Sequence, residues 1–202
     1  MNAAFPRRTA QPSIEPVTLA DALVHLRETA DSGANDAYIT TLITVARQAC
    51  EDRTERCLIT TPWLLTLPAF PAATDRNPLA SVCLRLAPAI AVQSVQYLDA
   101  AGALQTLDAA AYKLHVHMAP ALLSPAPTVL WPATQAGALD AVRIAFTAGY
   151  GATAASVPLP LRQWILLAVG EMYETRGASA ERPLVRSAFV DHLLDPYRLL
   201  GV

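Results

Sequence analysis

The chain has 202 residues, of which 53% are hydrophobic and 16% charged, with a formal net charge of −2. That is enough apolar material to bury a substantial core in one domain or two small ones, and it excludes a disordered polar chain. A balance this close to neutral offers no cluster of Lys and Arg to release counterions from phosphates, which disfavours direct nucleic-acid binding.

The three cysteines, Cys50, Cys57 and Cys83, have no C-x-x-C spacing and suggest neither a disulfide framework nor a zinc motif, so a reducing, cytoplasmic setting is the simplest reading. Residues 1–16 carry Arg7 and Arg8 without the apolar run of a signal peptide and read as a flexible arm. No segment reaches the roughly 18 apolar residues that span a bilayer, and no membrane association is expected.

From Val17, Leu19, Ala22, Leu23 and Leu26 recur at helical spacing behind Thr18, a good N-cap, with Asp21 in the first turn. After a break containing Gly33 and Asn35, Ile39, Leu42, Ile43, Ala46, Ala49 and Cys50 predict a longer helix over Ala37 to Cys57. Its polar side pairs Arg47 with Glu51 and Asp52 with Arg56 at i,i+4, the pattern of a solvated, ion-paired face.

From Thr61 the period becomes two. Trp63, Leu65 and Leu67, then Val82, Leu84 and Leu86, alternate as in half-buried strands. A hairpin follows around Asp99 and Gly102, then a strand with Tyr112, Leu114 and Val116 on one face, then strands at PTVLWP and AVRIAFTAG. Helical spacing returns from about Leu159 to Arg176, with Leu161, Trp164, Ile165, Ala168 and Met172 inward and Pro158 and Pro160 suiting the first turn. A last amphipathic segment, from Leu184, is ended by Asp195-Pro196. The expected fold is α+β: mainly a bundle of about four helices carrying an inserted antiparallel β module. Its parts are an arm at 1–16, helices at 17–60, the β module at 61–147, a glycine turn and helix at 148–177, and a hinge and tail at 178–202.

No residue pattern suggests a catalytic site, and none calls for a cofactor or a metal. His115 and His117 share a face of their predicted strand, but no third ligand lies at a metal-binding spacing. A small metal enzyme on the β module, or a regulatory protein-binding module, are the alternatives to a structural role. The AGYG stretch lacks the lysine of a phosphate loop, and its glycines stand too far from the following helix. Gly149, Tyr150, Gly151 and Pro158 read instead as an architectural turn from sheet to helix. The tail is rich in apolar residues, among them Leu184, Phe189, Leu193, Leu194, Tyr197 and Leu199. It either folds back on its own bundle or docks in a groove of a neighbouring chain.

The sequence of features VTLADALVHLR, DAYITTLITVARQACEDRTERCL, a β region, FTAGYG, VPLPLRQWILLAVGEMYETR and LLDPYRLLG resembles the head–tail connector, or head-completion adaptor, family of tailed bacteriophages, from Val17 almost to the end. The resemblance implies a structural, non-enzymatic virion protein made in the host cytoplasm and placed in the neck. It implies a ring, commonly dodecameric, between the portal and a stopper or tail-completion protein, through which genomic DNA is packaged and ejected without sequence-specific binding. It also implies that Leu184, Phe189, Leu193, Leu194, Tyr197, Arg198 and Leu199 dock on the portal. Arg47, Glu51 and Arg56 are the expected face toward a neighbouring subunit.

Overall fold

In the computed structural model, described for residues 5–28, 33, 35–175 and 188–199, the chain divides into two units that interleave in sequence. Met1–Gln11 and Thr60–Gly149 make a β unit, and Pro12–Ile59 and Tyr150–Val202 make a helical unit. The fold is α+β, but it is not mainly a helical bundle. Among the described residues, a five-stranded and a three-stranded sheet stand beside four helices. The inserted strands bury enough side chains of their own to form a separate core.

The β unit contains β1 (Arg7–Arg8), β2 (Thr61–Leu67), β3 (Val82–Leu84), β4 (Ala89–Leu98), β5 (Leu104–Thr106), β6 (Tyr112–His115), β7 (Ala121–Pro125) and β8 (Val142–Ala148). Its larger sheet has the order β1-β2-β8-β4-β5 and its smaller one β3-β7-β6, antiparallel throughout. The larger sheet is organised on β8, where Val142, Ile144, Phe146 and Ala148 are all fully buried and the residues between them are not. This strict alternation fixes the register, because a one-residue slip would turn all four into solvent. Leu65 of β2 and Val95 of β4 lie opposite Ile144 on either side, giving a buried row across three strands. β4 absorbs two register shifts, between Ala89 and Ala91 and between Val92 and Ser94.

Arg7 and Arg8, read from the sequence as part of an arm, pair with Leu64 and Trp63 as the edge strand. The Arg8 guanidinium lies over the Trp63 ring, 4.6 Å from its centroid. The strand expected at PTVLWP is a loop, and β7 precedes it. In that loop Trp131 stacks on Phe70, with centroids 4.5 Å apart, and its indole N–H donates to the Ala80 carbonyl at 2.7 Å.

The helical unit holds α1 (Leu19–Leu26), α2 (Asp36–Thr54), α3 (Leu159–Glu174) and α4 (Ala188–His192). α1 begins with a full capping box: the Thr18 hydroxyl accepts from the Asp21 N–H at 3.1 Å, and the Asp21 carboxylate accepts from the Thr18 N–H at 3.1 Å. Ile39, Leu42, Ile43, Ala46 and Cys50 of α2 pack with Leu161, Trp164, Ile165, Ala168 and Val169 of α3 in one core. Pro158 is the N-cap residue of α3 and Pro160 lies in its first turn, where a missing N–H leaves no intrahelical bond unmade.

The turn between β8 and α3 has a local reason for each glycine. Gly149 sits at φ 142°, which side-chain-bearing residues avoid, and its N–H donates to the Pro88 carbonyl at 2.9 Å. A Cβ on Gly151 would lie 2.4 Å from Ser156 Oγ and 2.5 Å from Ser156 Cβ. Gly151→Ala is therefore expected to destabilise the protein by about 1–3 kcal/mol in chemical denaturation. Ser156→Ala should not rescue it, because the Ser156 Cβ is itself too close; rescue by that change would show that the hydroxyl alone makes the contact.

Candidate functional site

The helical unit brings together residues that the sequence suggests for separate roles. Arg56, two residues beyond the C-terminal end of α2, donates from Nε to the Tyr197 carbonyl in the tail. The same guanidinium lies beside the Tyr150 hydroxyl, whose pKa is raised by burial against the opposing pull of that charge. The tail meets the C-terminal end of α2. Asp191 is bonded to Arg53 at 2.8 Å, and the Leu199 N–H donates to the Thr54 carbonyl at 3.3 Å.

Leu194 is fully buried in the core, and Val190, Leu193 and Tyr197 pack against it. Three of the residues expected to face a portal are thus seated on their own chain. Arg198 remains at the surface, paired with Asp195 at 3.4 Å, and Leu199 is half-buried. His192 donates a further hydrogen bond to Asp195 at 2.7 Å, and that bond is the main reason the Asp195 carboxyl is held below its ordinary pKa. Leu184 and the side chain of Phe189 lie outside the described residues.

The expected solvated face of α2 is corrected at Arg47 and Glu51, which are 1% and 8% exposed. Arg47 Nη1 donates to Glu51 Oε2 at 2.6 Å, and Arg47 Nε donates to Glu15 Oε2 at 2.7 Å. Glu51 Oε1 also accepts the Leu58 N–H at 2.9 Å, and Thr44 donates to Glu15 at 3.0 Å. A charge enclosed in this way has no surface to offer a neighbouring subunit, and of the three residues only Arg56 is even partly exposed. Glu15 was not singled out by the sequence, because it lies 32 positions from its partner and no local pattern marks it.

Ile14, Val17, Leu19, Thr40, Ile43 and Ala154 surround a largely apolar groove of about 330 Å³, with Glu15 and Thr18 completing its lining. The histidine pair is also corrected. His115 ends β6 with Nε2 2.9 Å from Ser124 Oγ, whereas His117 lies in the turn beyond, where the period-two argument for a shared face does not apply. No three His, Cys, Asp or Glu side chains among the described residues are placed to hold a metal ion. Burial pushes the Cys50 thiol up to about 12, which leaves it protonated and unreactive at neutral pH.

The fold is a helical unit interrupted by an antiparallel β unit, with the described C-terminal segment returning to the helical unit. No family model matches the sequence, and no curated protein does. Solved structures match over nearly the whole chain. A chain from the neck of an empty gene transfer agent particle computed with C6 symmetry is 27% identical with a TM-score of 0.80, over 98% of this chain and 97% of that one. A chain from the virion of a native gene transfer agent particle is 28% identical with a TM-score of 0.78, over 98% and 96%. A third, from the neck of the native particle computed with C12 symmetry, is 24% identical with a TM-score of 0.72 over 98% and 97%, and shows the fold alone. The resemblance to head–tail connectors read from the sequence is thus matched in three dimensions.

Arg47→Ala leaves two carboxylates without their cation and is expected to cost about 3–5 kcal/mol in urea unfolding. Arg47→Met combined with Glu15→Gln and Glu51→Gln should recover much of that loss, since it removes the charges together; no recovery would locate the cost in packing. The Asp21 carboxyl is held below the ordinary carboxylate range, chiefly by its side-chain hydrogen bond with Thr18. Its contribution is complete above the unfolded value and is lost as pH falls through the lowered folded one. Asp21→Asn should therefore flatten the acid limb of stability against pH below about 4, read by thermal melts.

Proposed function

We propose that this chain is a structural protein of the neck of a phage-like particle: a head–tail adaptor that assembles as a ring, continues the DNA channel and has no enzymatic role. The supporting observation is a match over 98% of the chain, at 27% and 28% identity, to chains of gene transfer agent neck and virion particles. The cyclic symmetry of the neck structures supports a homo-oligomeric ring, and the family resemblance suggests twelve copies. The partners in this reading are the portal on one side and a stopper or tail-completion protein on the other. The near-neutral charge suits a channel wall along which DNA must slide, because dense Lys and Arg contacts would hold the phosphates.

Portal docking is assigned to the C-terminal tail, as the resemblance implies. Its solvent-facing members, His192, Asp195 and Arg198, are available in the free chain, whereas Leu194 and its neighbours must first leave their seat. Electron microscopy of the purified protein mixed with the portal of the same particle should show rings seated on the portal. A chain truncated after Glu181 should leave the portal bare. Seating by the truncated chain would remove the tail from this role, and no association by either version would sink the adaptor reading.

A further inference from the structure

The groove bounded by Ile14, Val17, Leu19, Thr40, Ile43 and Ala154 lies on the helical unit and is lined mainly by apolar side chains. On the β unit, the loop of residues 126–141 presents two leucines to solvent, Leu130 at 87% and Leu139 at 84% exposure. This loop is held in place. Trp131, next to Leu130, is stacked on Phe70 and bonded to the Ala80 carbonyl, and the Gln135 N–H donates to the Leu98 carbonyl at 3.0 Å. Leu79, beside Ala80, is a third exposed leucine at 60%. Apolar side chains fixed in water on an anchored loop are a feature of contact surfaces.

We propose that the groove of one copy receives the Leu130 loop of a second copy of this chain, as the repeating contact of the ring. This inference rests on the ring reading and adds the two surfaces that meet. A cyclic assembly larger than a dimer needs two different, complementary faces on the same chain, and here the apolar groove and the projecting loop lie on different units. Charge complements shape. The β unit carries six basic and four acidic residues, and the helical unit nine basic and thirteen acidic. At the groove Glu15 is paired with the buried Arg47 at 2.7 Å, and Asp21, bonded to Thr18 of the lining, has Arg162 3.7 Å away. A β unit of net positive charge is drawn toward a helical unit of net negative charge, while two helical units repel each other.

The test uses full-length protein. Thr40 and Leu130 are both exposed, so substitutions there leave the cores intact. Thr40→Arg and Leu130→Asp are each expected to raise the concentration needed for ring assembly about tenfold or more, as read by native mass spectrometry, since the first fills the groove with a charged side chain and the second removes the leucine that enters it. Chains with Thr40→Cys mixed with chains with Leu130→Cys should form a mixed disulfide dimer under mild oxidation, and neither should do so with the wild type. Wild-type rings, with both variants still assembling and no mixed disulfide, would overturn the groove contact and leave the ring standing. A wild type that remains monomeric both alone and on the portal would overturn both readings.

Discussion

The helical unit depends on one enclosed cation. Arg47 starts a chain of bonds across three passages: it holds Glu15 on the approach to α1 and Glu51 in α2, Glu51 accepts the Leu58 N–H beyond the helix, and the Leu58 carbonyl accepts the Tyr150 N–H at the return. α3 is tied to the first passage as well, through Arg162 and the Pro16 carbonyl. A buried ion pair adds little net stability, because desolvation offsets the attraction. Its value here is directional. Two carboxylates from distant segments can satisfy one guanidinium in only a few arrangements, so the cluster fixes how the interrupted unit closes on itself, whatever is inserted between Ile59 and Tyr150.

That closure explains how a long β insertion is tolerated. The β unit has its own buried row through Leu65, Ile144 and Val95, and it draws in Arg7 and Arg8 to cover part of the β2 edge. An uncovered edge strand is a template for unwanted pairing, and two charged residues lying along it discourage that. Each unit thus settles its own backbone hydrogen bonds, and the strained glycine turn between β8 and α3 joins them without asking either core to change.

The local features were legible in the sequence. Thr18 and Asp21 form the cap at the start of α1, the period of two marked β2, β3 and β6, and Gly149 sits where the backbone permits little else. What stayed hidden depends on distant partners. An i,i+4 pair such as Arg47 and Glu51 looks the same on a wet face and in a core, and only Glu15, far off in sequence, decides between them. β7 was missed because Pro120 and Pro125 flank a run, Ala-Leu-Leu-Ser, that is buried at more than alternate positions and so has no clean period. The neighbouring PTVLWP read as a strand because its apolar residues resemble one, yet its tryptophan is used to anchor a loop. The weight given to helices followed from the same limit: long periodic helices announce themselves, while short strands gain definition only through pairing.

The tail presents the sharpest physical question about docking. Its seat on α2 and α3 uses Leu194, Tyr197, the Arg56 bond and the Arg53 pair, all of which a portal would have to replace or leave in place. A partner can shift such an equilibrium only by the difference between its affinity for the released and the seated tail. Each single exchange is therefore worth less than its contact area suggests. In a ring this is an advantage. Many weak exchanges made together on one symmetric partner sum to firm attachment through effective concentration, whereas a lone subunit gains little from any one of them. Under the proposed function, the self-seated tail would keep free subunits from capping portals singly and favour attachment by the completed ring.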